Sequence, residues 1–409
     1  MSGKNKLFGI IVISLSSIIS LLLIIAILET GLIIYDKGRP LSDGDYGWST
    51  WSSGNERHYK AWFEENFLDP WHEADADYVP HTDELNQFGF RGKPMEDSPM
   101  NIVLLGDSAV ETSHPINDMP ERYLASELEK KAGFMPNVIS MGSWGWGTDQ
   151  QYLAIKQHID DINPSYVVLW FVSNDYRDNT YPKGNSGRKP TFWMSENKLQ
   201  GPNHEFLEEF KPEKLRLTRL LKRRELLGVN LDQDRGFFKK YVEPNLMPME
   251  SIKPCSNGID FDLSKSIKDY HSSDLSYLSV HNIKFADPRP NWLDYEKNLT
   301  RELLLKIKEL AESRGSRFFI FHVNYPGQNF NLPMKTICSK EFGEVTYSLE
   351  NLYKLLDDTF QGIEHYYFEI PTGSDFMDDF DGHLNDKFNK YIMKKVASLI
   401  EIDRLDGNN

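Results

Sequence analysis

Between Asn101 and Thr112 the chain changes character within a few residues. Asn101-Ile-Val-Leu-Leu-Gly106 is apolar almost throughout, and Asp107-Ser108 follow at once. An apolar run of this length reads as a strand buried on both faces, which belongs in a parallel sheet covered by helices on either side. Gly106 permits the tight turn with which such a strand ends. The serine after it stands just past a strand's carboxyl end, where open α/β sheets bind their ligands. Taken alone, Gly-Asp-Ser reads as an ordinary turn. A nucleophile needs company from elsewhere in the chain.

Four further apolar runs supply it. Residues 119–132 read as a helix, with Pro120 in its first turn and Gly133 as its stop. Asn137 to Met141 then reads as a second strand, running into Gly142-Ser-Trp144-Gly145-Trp146-Gly147. Closely spaced glycines allow backbone to approach a ligand, and a helix is expected from about Asp149 to Asp161. This loop is no phosphate cradle, because the Lys of a P-loop is absent and its glycines do not follow the dinucleotide fingerprint. A plain turn with two packing tryptophans is the other reading. Tyr166 to Val172 is a third strand, apolar throughout and therefore central, and leads into Ser173-Asn174-Asp175. Asn174 is either a turn former or an amide donor aimed at an oxyanion. Helices are expected over 295–314 and within 343–360, strands over 318–323 and 366–370, and a final amphipathic helix to about residue 402.

His383 falls in the acidic loop 371–385, just before that last helix. A lone His is usually structural, but Asp381 two residues upstream could orient its ring as a general base requires. A calcium loop from Asp378, Asp379 and Asp381 is the rival reading, without EF-hand spacing or a closing Glu.

Alternating strands and helices predict a doubly wound parallel sheet, and all four suspects then lie at strand carboxyl ends. The chemistry assigns their roles. Ser108 attacks an acyl carbon, His383 takes its proton and Asp381 orients the imidazole. The Ser108 N–H, a glycine N–H from the loop after the second strand and the Asn174 amide form an oxyanion hole. No metal and no cofactor is called for.

These four blocks, Gly106-Asp107-Ser108, the loop around Gly145, Asn174-Asp175 and Asp381-Gly382-His383, resemble in content and order those of the SGNH (GDSL-type) hydrolase superfamily. The resemblance covers roughly residues 84–402 apart from one insertion. It implies a flavodoxin-like three-layer α/β/α sandwich on a five-stranded parallel sheet, with Ser108 and His383 catalytic and Ser108, Gly145 and Asn174 as the oxyanion hole. Two positions depart from the pattern. The third block has Val172 where the family carries Gly. The Asp expected three residues before the His is displaced, position 380 being Phe, so Asp381 is the expected partner of His383 and Asp379 the reserve. An ordinary α/β-hydrolase elbow is excluded, since Val110 stands where its second Gly would be.

The rest of the chain sets the context. From Leu7 to Leu28 there is no charged residue. Its sixteen Leu, Ile, Val and Phe sum to roughly −5 to −10 kcal/mol of insertion free energy, before the serines are counted. The expectation is a transmembrane anchor over residues 1–34, N-terminus cytoplasmic and body outside. A cleaved signal peptide is the rival, although the run is longer than a usual h-region. Residues 35–98 read as a stalk that docks on the domain, with a structured turn at Asn86 to Gly92. The hydrolase-like domain spans 99–402, interrupted by a polar insertion at 176–296 with a basic helix from Pro212 to Leu227. Residues 403–409 are a tail. The net charge of −15 excludes nucleic acid as a partner. Cys255 and Cys338, the only cysteines, could form one disulfide on the oxidising side of a membrane.

Three functions fit: a membrane-anchored serine esterase or deacylase, an O-acyltransferase acting on envelope polysaccharide, and a non-catalytic glycan-binding protein that keeps the pocket. Trp144 and Trp146 are the candidate rings for a sugar.

Overall fold

The computed structural model describes residues 3–35, 86–112, 114–143, 145–180, 183–184, 187–188, 191–203, 237–246, 255, 283–323, 335–339, 343–371, 376 and 384–400. Helix α1 (Gly3–Tyr35) comes first, 33 residues long, which at 1.5 Å per residue is about 50 Å. Leu and Ile side chains from Ile13 to Leu28 lie exposed along it. Its side chains are described without a break only over 15–31. Among the described residues no helix is long and apolar enough to cross a membrane.

The sheet is built from β1 (Asn101–Gly106), β2 (Asn137–Gly142) and β3 (Tyr166–Phe171), with two later strands. The short helix α2 (Ser108–Glu111) and α3 (Pro120–Ala132) lie between β1 and β2, and α4 (Thr148–Ile162) between β2 and β3. After β3 come the one-turn α5 (Asp175–Asp178), the hairpin β4 (Thr191–Ser195) and β5 (Lys198–Asn203), the two-residue β6 (Ala286–Asp287) and α6 (Asn291–Ser313). The chain closes with β7 (Arg317–Val323), β8 (Lys335–Ser339), β9 (Gly343–Tyr347), α7 (Leu349–Phe360), β10 (His365–Phe368) and α8 (Asp386–Leu399). The five-stranded sheet has the order β10-β7-β3-β1-β2, and every pair in it is parallel. The expected five-stranded parallel sheet is therefore present.

Because side chains alternate across a strand, each strand feeds two cores. Val103, Leu105, Ile139, Val167, Leu169 and Ile320 meet α4, α6 and α7 on one face. Ile102, Leu104, Val168, Trp170 and Phe321 meet α2, α3 and α8 on the other. The result is three layers, α/β/α. All six residues of β3 are buried, as its unbroken apolar run requires.

The chain crosses to opposite sides of β1 to reach β2 and β3, so the sheet's switch point lies at the end of β1. The insertion ends earlier than expected. Helix α6 starts at Asn291 behind Pro290, and its first turn already places Trp292 and Leu293 in the core. Within the insertion, the β4-β5 hairpin and residues 237–242 bury Phe192, Met194, Phe237 and Val242 against Tyr295, Leu299 and Leu303 of α6. The basic helix expected from Pro212 to Leu227 lies outside the described residues. Cys255 and Cys338 are joined by a disulfide, which ties the insertion to β8.

Candidate active site

Ser108 opens α2 directly beyond β1. The Asp107 carboxylate accepts the Ala109 N–H at 2.9 Å and so caps that turn. Its carbonyl accepts the Val110 and Glu111 N–H groups, each at 3.1 Å. Gly106 and Gly142 face each other in register at the ends of β1 and β2. A Cβ on Gly106 would lie 2.4 Å from Val110 Cγ2, and one on Gly142 would lie 2.8 Å from both Val110 Cβ and the Asp107 carbonyl oxygen. Two glycines on one rung thus make room for Val110, and the helix that opens with Ser108 seats on them. The Val that excludes the ordinary hydrolase elbow is the residue this seat accommodates.

The loop beyond β2 turns at Gly145, whose φ of +69° is left-handed and suits glycine. The turn is closed by the Trp146 N–H donating to the Ser143 carbonyl at 3.1 Å. Gly147 precedes α4 with no room for a side chain, since its Cβ would meet Asn179 Oδ1 at 2.6 Å. Trp146 is only 1% exposed and packs edge-on against Phe90 at 5.6 Å, so it has no face free to stack on a sugar. That corrects the expectation for Trp146, and the reading of the tryptophan as a packing ring holds instead. Trp144 lies outside the described residues.

At the end of β3, the Asn174 side-chain amide donates to Asp178 Oδ2 at 2.9 Å and, more weakly, to Asp107 Oδ2 at 3.3 Å. Asp178 is paired in turn with Arg177 at 2.9 Å. A continuous polar chain therefore joins the third strand end to the residue before Ser108. Val172, where the family pattern has Gly, needs no glycine, because its φ is not positive. The turn closes in the ordinary way, with the Asp175 N–H donating to the Val172 carbonyl at 3.0 Å.

Beneath this turn lies a buried polar layer. Asp175 is fully buried and accepts from Thr148 Oγ1 at 2.8 Å and Gln151 Nε2 at 3.3 Å. Burial, then the nearby Asp107 carboxylate, push its pKa well above the usual carboxylate range. Asn179 donates to Thr300 at 2.8 Å and Thr180 to Glu296 at 3.1 Å. Burial raises Glu296 to about 8. Lys284 donates to Ser173 Oγ at 2.5 Å, and burial, helped by Arg177, lowers its pKa to about 7. Sequence reasoning missed Lys284, Glu296 and Thr300. They come from a polar stretch and from a helix face, and neither shows a pattern that distinguishes a buried charge from a solvated one.

Ser108, Gly145 and Asn174 thus stand at the ends of β1, β2 and β3, along one sheet edge. His383, Asp381 and Asp379 lie outside the described residues, as does the calcium reading of that loop. Among the described residues no group of three or more His, Cys, Asp or Glu is arranged to hold a metal ion.

The family model for GDSL-like lipases and acylhydrolases matches residues 102–396, from the first strand of the sheet to the last helix. No curated protein matches the chain. Among solved structures it is similar to a GDSL-like lipase from Bacteroides thetaiotaomicron VPI-5482, with 9% identity and a TM-score of 0.30 over 75% of this chain and 89% of that one. The family match supports an ester hydrolase or an acyltransferase. With the match running over most of the chain, the protein belongs to the GDSL-like lipase/acylhydrolase family.

Proposed function

We propose that the protein is a membrane-anchored serine ester hydrolase. Ser108 Oγ attacks the acyl carbon while His383, oriented by Asp381, accepts the hydroxyl proton. The ester carbonyl oxygen becomes an oxyanion held by the Ser108 N–H, the Gly145 N–H and the Asn174 amide. Collapse of this intermediate breaks the C–O bond, and His383 returns its proton to the departing alcohol. Water then repeats the cycle on the acyl-serine and releases the acid.

The observation that carries this reading is the Asn174 amide within hydrogen-bonding distance of Asp107, the residue before Ser108. Asn174 and Ser108 thus share one rim, which supports the reading, and the 3.3 Å contact is the weaker of the two the amide makes, hence the one an oxyanion would displace. The anchor is supported by the apolar side chains exposed along α1. The disulfide suits a domain on the oxidising side of that membrane.

The test uses the full chain in detergent with p-nitrophenyl acetate and a serine-directed fluorophosphonate. Hydrolysis and labelling are expected, and Ser108→Ala should abolish both. Labelling that persists in Ser108→Ala would refute the nucleophile. Extraction of expressing membranes with alkaline carbonate should leave the protein in the pellet, and release would refute the anchor. An acyltransferase shares the first half-reaction, and one of its two candidate sugar rings, Trp146, is buried. Free acid as the sole product in the presence of glycan acceptors distinguishes the hydrolase.

A further inference from the structure

The buried layer beneath the third strand end holds a carboxyl group with one oxygen bare. Asp175 is wholly buried at the start of α5. Its backbone is pinned from both sides, its N–H donating to the Val172 carbonyl at 3.0 Å and its carbonyl accepting the Asn179 N–H at 2.9 Å. Both donors to its side chain, Thr148 Oγ1 at 2.8 Å and Gln151 Nε2 at 3.3 Å, go to Oδ2. Oδ1 has no partner in the protein, and neither has Oε1 of Gln151, which is buried as well.

Two bare acceptors on groups already joined by one hydrogen bond have a simple remedy. A charged carboxylate with a buried, unsatisfied oxygen is costly, and two acceptors cannot serve each other. A proton on Oδ1 turns that oxygen into a donor. Asp175 and Gln151 then have the complementary groups of an acid–amide ring, Gln151 Nε2 donating to Oδ2 and the Oδ1 hydroxyl donating to Oε1. Every oxygen of the two side chains is then used. Burial, then the Asp107 carboxylate, act on Asp175 in the same direction.

The surrounding charges give that proton its importance. Asn174, directly before Asp175, already donates its amide to two carboxylates, Asp178 at 2.9 Å and Asp107 at 3.3 Å, with Arg177 paired to Asp178. The other ionisable groups described around the turn have partners of their own. Asp149 accepts the Gln150 N–H and Glu296 the Thr180 hydroxyl, Lys284 donates to Ser173, Tyr176 bonds Thr359, and His322 bonds the Phe171 carbonyl. A third carboxylate charge here would oppose the negative charge that develops on a substrate oxygen at Asn174. We propose that Asp175 serves the site as a neutral acid, ring-bonded to Gln151, and so supports Asn174 without adding charge beneath the oxyanion. It touches no substrate and is a positioning residue, a role that rests on the reading of Ser108 as nucleophile and Asn174 as oxyanion donor.

The experiment compares wild type, Asp175→Asn and Asp175→Ala as full chains in detergent. Asn has the shape and the hydrogen-bonding pattern of the protonated acid but never titrates. An acid held above its ordinary value of 3.8 contributes stability that is complete below that value and is lost as pH rises. The urea midpoint of Asp175→Asn should therefore gain on that of wild type from pH 5 to pH 8. On p-nitrophenyl acetate at pH 7 the Asn variant should hold kcat within about threefold of wild type, whereas Ala should lose about 10- to 100-fold with KM nearly unchanged. Towards pH 9 the wild-type kcat should fall relative to that of the Asn variant, as the acid ionises. A midpoint difference constant with pH would mean a carboxylate charged in the fold, its bare oxygen served by water, and would overturn the neutral acid. An Asn variant as slow as Ala, or parallel kcat profiles for Asn and wild type, would overturn the positioning role. The Asn variant decides both even if the Ala variant fails to fold. A wild-type protein that neither hydrolyses the ester nor labels with fluorophosphonate removes the reading underneath and the catalytic role with it, while the midpoint difference still decides the proton.

Discussion

Strands β1 and β3 are neighbours in the sheet, and each ends in a one-turn helix, α2 and α5. Their supports differ in kind. The turn after β1 is seated sterically, with Val110 pressed onto Gly106 and Gly142. The turn after β3 is seated electrostatically, over Asp175, Thr148 and Gln151 and beside Lys284 and Glu296. A steric seat fixes a backbone by contact, which does not itself respond to pH. A polar seat holds an amide donor within a field and responds to pH. The proposed nucleophile, Ser108, stands on the first and the proposed oxyanion donor, Asn174, on the second.

The largest effect should come from the donor at the polar end. Asn174→Ala is expected to lower kcat by about 10² to 10³ with KM little altered. A loss below fivefold would show that the amide only ties Asp178 to Asp107. Next comes the steric seat. Gly106→Ala should destabilise the fold by about 1–3 kcal/mol in urea titrations. Val110→Ala in the same chain should recover part of that loss, as a positive coupling in a double-mutant cycle. Gly142→Ala should recover less, because its Cβ also meets the Asp107 carbonyl oxygen, which Val110→Ala does not move.

A smaller effect should separate the two seats by pH. Burial holds Glu296 near 8, against an ordinary value of 4.5. Asp175 is shifted the same way. A raised acid keeps its proton in the fold when the unfolded chain has lost it, so its stability contribution is complete below about pH 4.5 and is lost as pH rises through about 8. The urea midpoint should therefore fall from pH 5 to pH 8, and Glu296→Gln should flatten the fall. Lys284 works in the opposite sense. Its depressed pKa means that stability is recovered as pH climbs from about 7 towards 10.5. A midpoint that is flat over the whole range would show that these groups are solvated. The smallest change is expected for Lys284→Met, with Tm equal to or above wild type because a buried ammonium is removed. A Tm several degrees lower would make the Ser173 contact a net stabiliser.

The difference between the seats also explains what could be read in advance. The five strands were legible because each is an apolar run ended by glycine or polar residues, and four of their ends displayed the residues singled out. The steric seat was half legible: Gly106 and Val110 were visible, but the register that sets Gly142 opposite Gly106 depends on pairing between strands. The polar seat was hardly legible. Asn174 and Asp175 stood in a recognisable block, yet Lys284, Glu296 and Thr300 reach it from more than a hundred residues away. A charge in a polar stretch looks the same whether the fold buries it or leaves it in water. Trp146 shows the converse, since a ring beside a glycine loop suits a sugar or a core equally well and only packing decides.

The pairing of His114 with Leu384 also bears on time. His114 Nε2 lies 3.0 Å from the carbonyl oxygen of Leu384, and at roughly 5–20 residues per second the ribosome needs about 14 to 54 s to traverse the 270 positions between them. Throughout that interval the segment bearing Ser108 exists without its C-terminal partner. A hydrolase assembled in this way would stay silent while its chain emerges, and its first turnover would report that synthesis had reached the last helix.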